Sequence, residues 1–260
     1  MSAVADGRDE LLIDCRGATM IMTINRPQAR NAINHAVAQA LATAMDRLDA
    51  DPELRVGIIT GAGGNFSAGL DLKAFLSGEP RSVEGRGFAG FTEAPPCTPL
   101  IAAVEGYALA GGCEMVLACD LVVAAENAVL GLPEVKRGLI AGSGGLFRLP
   151  RRIPPQIAME HALTGDPLGA AEAERWGLVN RLSAAGGALA AAIDLAERIA
   201  ANAPLAVRTT KQIVNEGPEW SPQEAWTRQR ALLELIVSSA DAREGSEAFL
   251  QKRPPVWSGK

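Results

Sequence analysis

The chain has 260 residues, 48% hydrophobic and 21% charged, enough to bury a substantial core and too apolar for a disordered protein. Twenty-five basic against thirty acidic residues give a net charge of -5, which argues against a broad nucleic-acid-binding surface but not against a local grip on a phosphate. Cys15, Cys97, Cys113 and Cys119 fit no metal-cluster spacing and are too few for a disulfide scaffold, residues 1–10 show no leader pattern, and no apolar run approaches the roughly 20 residues that span a bilayer. The expectation is a cytoplasmic globular protein without membrane, nucleic-acid or metal partners.

In chain order, Ala18 to Asn25 is β-prone and ends at Arg26-Pro27. Asn31 is placed to cap a helix whose apolar positions Ile33, Val37, Leu41, Met45 and Leu48 recur at steps of three and four. Asp51-Pro52 closes that unit, and Val56 to Thr60 reads as a buried parallel strand. Residues Ser77 to Pro99 are rich in Gly, Pro and Ser without a sustained period, the pattern of a long functional or mobile loop. Beyond it, Leu100 to Val104 and Leu121 to Ala125 read as strands around a helix from Gly111 to Cys119. Strands separated by helices of this length imply right-handed crossovers and a mostly parallel α/β sheet. Four helices follow, at Gly186–Ile199, Pro204–Asn215, Ser221–Ser238 and Asp241–Gln251, with the RPPVW run stopping the last. Periodicity alone does not say whether this tail packs on its own core or on a neighbouring subunit.

Three Gly-rich stretches stand out, GAGGNFSAG at 61–69, GYALAGGCE at 106–114 and GLIAGSGG at 138–145. None matches a dinucleotide or P-loop fingerprint. Ser67 and Ser143 each miss the nucleophile-elbow pattern by one residue. The only histidines, His35 and His161, fall on predicted helices, which leaves a serine triad without its base. Chemistry therefore falls to carboxylates. Glu114 opens a nearly apolar helix, where it could also serve only to meet the helix dipole. Glu134 sits between Pro133 and Val135, where it could also pair with Lys136 or Arg137. Two carboxylates in apolar settings beside Gly-rich turns suit general acid/base work, because burial lifts their pKa toward neutrality.

With these residues in view the chain resembles the crotonase family, the enoyl-CoA hydratases and isomerases, from end to end. The matching stretches are NRPQARNAIN at 25–34, NFSAGLDLKAF at 65–75, residues 106–145, LTGDPLGAAEAERWGLVNRL at 163–182 and FLQKRPPVW at 249–257. Their order and spacing make the match specific. The resemblance implies an α/β spiral of ββα units over residues 1–200, carrying the active site, and a C-terminal helical trimerisation module over 201–260, giving a homotrimer or a dimer of trimers. It replaces the open doubly wound sheet that the alternation alone suggests.

Position by position, the resemblance puts an oxyanion hole for a thioester carbonyl on the backbone N–H groups of Leu70 and Gly111. It puts the two hydratase glutamates on Glu114, as base, and Glu134, as proton donor. Contacts to the acyl-CoA substrate fall on Arg30, Ala68, Asp71 and Lys73, with Lys252 reaching a neighbouring subunit's phosphates. No cofactor is implied, since coenzyme A is part of the substrate. The implied reaction is hydration of a trans-2-enoyl-CoA. A Δ3-Δ2 isomerase using one carboxylate, or a non-catalytic acyl-CoA-binding protein on the same fold, stays open. Leu132 departs from the pattern, because many short-chain hydratases carry glutamine before the proline.

Overall fold

The structure, a computed structural model, describes residues 10–260, so the reading of residues 1–9 as free of a leader lies outside it. The elements run β1 (Leu11–Arg16), β2 (Thr19–Ile24), α1 (His35–Ala50), β3 (Val56–Gly61), α2 (Leu72–Leu76), β4 (Leu100–Val104), β5 (Tyr107–Leu109), α3 (Gly111–Ala118), β6 (Leu121–Ala125) and β7 (Val129–Gly131). Then come α4 (Gly145–Arg152), α5 (Pro155–Thr164), β8 (Leu168–Gly169), α6 (Ala170–Arg175), β9 (Arg181–Ser183), α7 (Ala188–Ala200), α8 (Pro204–Glu216), α9 (Pro222–Val237) and α10 (Ala240–Gln251).

A six-stranded sheet has the order β1-β2-β3-β4-β6-β9, parallel except for the β1–β2 hairpin. A second, three-stranded sheet has the order β5-β7-β8. Two successive turns of the spiral send one strand to each sheet: β4 then β5 before α3, followed by β6 then β7. The expected ββα architecture is observed.

The central strands are near-continuous apolar runs because both faces of the sheet are covered. Their alternating side chains split between two clusters. Met20, Met22, Ile59, Ala102 and Val122 pack with Val37, Leu41, Met45 and Leu48 of α1. Ile21, Ile58, Ile101 and Val123 pack against Ala188, Ala192 and Ala196, a small-residue stripe at four-residue spacing on α7.

Two sequence expectations change. Asn34, not Asn31, caps α1, accepting the Val37 N–H at 2.9 Å, and Ile33 lies outside the helix. Asn31 is buried with a left-handed φ of 54°, and its Nδ2 donates to Ala62 O and Asn65 O at 2.8 and 2.7 Å. It ties the 61–66 turn to the NRP segment instead. The 77–99 segment is irregular as expected, but Phe88 to Thr92 is buried within it and packs against α1. A chain that deep is a wall of the core and not a free surface loop.

The C-terminal helices are built differently. A capping box joins Ser221 and Glu224 at the start of α9, and Lys252 ends α10 with φ 55° ahead of the prolines. Lys211 of α8 anchors to the core through Pro96 O, Thr98 O and the Asp120 carboxylate at 2.7, 3.0 and 2.6 Å. No residue of α8 or α9 is buried, and Trp226, Leu233, Leu235, Phe249 and Leu250 lie more than half exposed. Among the described residues no helix is long and apolar enough to cross a membrane.

Candidate active site

Three segments far apart in sequence converge where α3 begins. Ser67 bridges to β5, its N–H donating to Tyr107 O at 2.9 Å and its carbonyl accepting the Leu109 N–H at 3.0 Å. Its buried hydroxyl donates to Asn31 O at 2.8 Å and accepts the Gly69 N–H at 3.1 Å. Ile33 N–H donates to Gly69 O and Asp71 N–H to Ile33 O, so both neighbours of Leu70 are pinned. The Leu70 N–H itself has no acceptor among the described residues. Gly111 opens α3, where first-turn N–H groups have no partner within the helix, and its N–H is likewise unengaged among the described residues.

Glycine is required at this junction. A Cβ on Gly69 would lie 2.8 Å from Gly111 N, and one on Gly112 only 2.3 Å from Ser67 O. Ala110 enters the helix at φ 51°, ψ -127°, a conformation non-glycine residues rarely adopt, held by its N–H donating to Gly131 O at 2.9 Å. Leu70 and Gly111 thus present two fixed, unspent donors side by side, an arrangement suited to stabilising a developing oxyanion.

Glu114, one turn into α3, is 3% exposed. Its Oε1 accepts the Ser143 N–H at 2.6 Å and the Gly145 N–H at 2.9 Å. These two donors meet much of the cost of burying a carboxylate. Oε2 has no hydrogen bond from the described residues and stays open to reaction. The Gly-rich 138–145 stretch therefore acts through backbone N–H groups, and it is the Ser143 N–H, not its hydroxyl, that reaches the site. Sequence reading missed this; the only available signal was the run of glycines.

Glu134 lies on a 3-10 turn, Pro133–Arg137, with proline fixing the entry and Gly138 closing it at φ 70°. Its Oε2 is buried with no hydrogen-bond partner among the described residues. Burial pushes the Glu134 carboxyl above its ordinary pKa, and the nearby Glu114 charge adds to the rise. Lys136 does not pair with it, but with Asp166 at 2.6 Å. Gly145 brings the two carboxylate-bearing turns together: a Cβ there would lie 3.0 Å from both Leu132 methyls and 3.1 Å from Glu114 Cγ. An oriented carboxylate and a carboxyl whose burial raises its pKa thus lie on segments that meet at Gly145, the first of them one helical turn from the Gly111 N–H. That constellation supports proton transfer next to a polarised carbonyl. Both histidines stand apart, His161 Nδ1 lying 2.9 Å from Asp166 O and His35 beside Gln39.

The remaining site residues cluster around Leu70. Arg30 is exposed, and its carbonyl accepts the Ala68 N–H at 3.0 Å, leaving the guanidinium and the Ala68 carbonyl for a ligand. Lys73 is exposed on α2. Asp71 is engaged within the chain: Oδ1 caps α2 by accepting the Lys73 and Ala74 N–H groups, and Oδ2 pairs with Arg26 at 2.9 Å. Both oxygens have partners within the chain, so Asp71 holds the Leu70 turn in place. Lys252 sits at the C-cap of α10 with an exposed side chain.

Comparison with known proteins points the same way. The family model for enoyl-CoA hydratase/isomerase matches residues 15–260. The enoyl-CoA hydratase EchA1 from Mycobacterium marinum superposes with a TM-score of 0.96 at 60% identity, covering 97% of this chain and 100% of that one. An enoyl-CoA hydratase structure from Mycobacterium tuberculosis gives 0.96 at 57% identity, again covering 97% and 100%. A carnitinyl-CoA dehydratase from Salmonella enteritidis is 42% identical over 97% of this chain and 99% of its own length.

Proposed function

The chain belongs to the enoyl-CoA hydratase/isomerase family, and from that premise we propose that it is a hydratase-type lyase adding water to a trans-2-enoyl-CoA to give a 3-hydroxyacyl-CoA. The observation that carries this reading is the pair of unlike carboxylates: Glu114, oriented through one oxygen, and Glu134, with a buried unpartnered oxygen and a raised pKa.

The thioester oxygen accepts from the N–H groups of Leu70 and Gly111, which polarise the conjugated double bond. Glu114 Oε2 takes a proton from the water as its oxygen bonds to C3. Electron density moves onto the thioester oxygen, where the two N–H donors hold the enolate, with the α3 dipole adding to Gly111. Glu134, whose burial favours the protonated form, gives a proton to C2 and restores the carbonyl. Loss of one such donor costs roughly 3–4 kcal/mol of barrier in comparable sites. Arg30 and Lys73 hold the phosphates of coenzyme A against the chain's overall negative charge, and the Ala68 carbonyl contributes a polar contact.

The test is consumption of the conjugated absorbance of crotonyl-, hexenoyl- and decenoyl-CoA with formation of the 3-hydroxyacyl product. No consumption of any of them defeats the reading. Supplying 3-enoyl-CoA in heavy water separates an isomerase, which makes no hydroxylated product, and tight acyl-CoA binding without turnover identifies a binder. The named relatives favour a second substrate, carnitinyl-CoA, for the reverse dehydration. Comparing its kcat/KM with that of crotonyl-CoA decides between the two acyl groups. The exposed apolar residues of α9 and α10, and an apolar groove of about 590 Å³ between the start of α8 and α10, support assembly through residues 201–260 into a trimer or a dimer of trimers, which sedimentation measures directly.

A further inference from the structure

Arg148 occupies the fourth position of α4, and its side chain turns back toward the helix N-terminus, the direction helical side chains take. Nη1 donates to Ser143 O at 3.2 Å and Nη2 to Thr92 O at 2.6 Å. Ser143 belongs to the turn whose N–H groups hold Glu114. Thr92 belongs to the buried segment whose Phe88 rests on Gly111: a Cβ there would meet the ring at 2.5 Å. Thr92 and Phe88 are themselves tied, since the Thr92 N–H and hydroxyl both donate to Phe88 O, at 3.2 and 3.0 Å.

The guanidinium therefore joins the support of one carboxylate to the support of one oxyanion donor. Both its acceptors are neutral carbonyls, and no described carboxylate lies within ion-pair distance of it. Burial works against its charge, and the opposite charge that offsets this is Glu114. A neutral side chain could brace two carbonyls without that desolvation cost. The charged fork instead spans both carbonyls at once, and the nearby Glu114 charge offsets part of that cost.

We propose that Arg148 is a positioning residue, fixing the Glu114 carboxylate relative to the Gly111 N–H by clamping the Ser143 and Thr92 turns together. The role in catalysis rests on the hydration reading above; the clamp itself does not.

The test uses the full chain and the variants Arg148→Met and Arg148→Lys, with crotonyl-CoA as substrate and residue-resolved amide exchange as a readout independent of activity. In Arg148→Met the Ser143 and Gly145 amides exchange at least tenfold faster while β3 and β4 are unchanged. In the same variant kcat falls by roughly thirtyfold, the size of effect that a small misplacement of a catalytic group produces, with KM within about threefold. Arg148→Lys, keeping the charge and one prong, lies between and serves both arms if the Met variant does not fold. Parent-like exchange at Ser143 and Gly145 in a folded variant overturns the clamp. Faster exchange with kcat within about threefold of the parent overturns the positioning role. A parent chain that turns over no enoyl-CoA defeats the hydratase reading alone, and the exchange arm still decides the clamp.

Discussion

The two turns that carry the carboxylates solve opposite problems. Around Glu114 two backbone donors are aimed: Ser143 and Gly145 N–H reach one oxygen, and glycines at 111, 112 and 145 let the chains close on one another. Around Glu134 the turn is less buried, yet one carboxylate oxygen is sequestered with no hydrogen-bond partner among the described residues, and burial raises the carboxyl's pKa. Donors aimed at a buried carboxylate fix its orientation, and desolvation of a carboxyl without a donor raises its pKa. Two glutamates twenty positions apart become different reagents through their surroundings alone.

The largest effect expected from this contrast is on turnover. Glu114→Gln and Glu134→Gln should each lower kcat at least about a hundredfold with little change in acyl-CoA affinity, the range of general acid–base catalysis. Gln keeps an oxygen for Ser143 and Gly145 at 114, so neither variant should lose its fold. An unchanged rate in either would remove that residue from the mechanism.

Stability should separate the two positions where turnover does not. Glu114→Ala strands the buried Gly145 N–H and should cost about 1–3 kcal/mol in urea unfolding. Glu134→Ala removes an oxygen that has no partner, so its unfolding midpoint at neutral pH should match the parent or exceed it. Equal losses at both positions would erase the contrast.

A smaller effect tests the cause of the Glu134 shift. Because its pKa is raised in the folded chain, the native state holds that proton more tightly than the unfolded one. The resulting stabilisation is complete below the unfolded carboxyl pKa and is lost as pH rises through the folded one. Glu134→Gln cannot titrate there. Its thermal midpoint relative to the parent should therefore be higher at pH 8 than at pH 4, and a pH-independent difference would contradict burial as the cause. The smallest effect concerns Lys136 and Asp166, whose ion pair on the Glu134 turn is largely solvent-exposed. Lys136→Met should leave turnover within about twofold, and any loss of stability should vanish at high salt.

Much of the site could be read along the chain. Glu114 and Glu134 stood out because a carboxylate with apolar flanks is costly unless it has work to do. The Gly-rich turns marked places where backbones must approach. Other features had no local signature. β1 shows only Leu11 buried, and β5, β7 and β8 span two or three residues, too short for any period to register. Asn31 and Asn34 are equally good caps by type. What separates them is that Asn31 is drawn to carbonyls 31 and 34 residues away. Asp71 matched the expected ligand-binding segment, but its oxygens were claimed by α2 and Arg26.

The scarcity of histidine, the two apolar-flanked glutamates and the glycine runs settled which chemistry this chain could perform, because residue type and near neighbours fix what a side chain can donate, accept or titrate. Which glutamate is oriented by donors and which has its pKa raised by burial was decided by the tertiary structure. Glu114 finds its donors 29 and 31 residues downstream, and Arg148 reaches a carbonyl 56 residues upstream. Hydrogen bonds across such separations depend on where the spiral places its turns, and no local pattern of side chains encodes that placement.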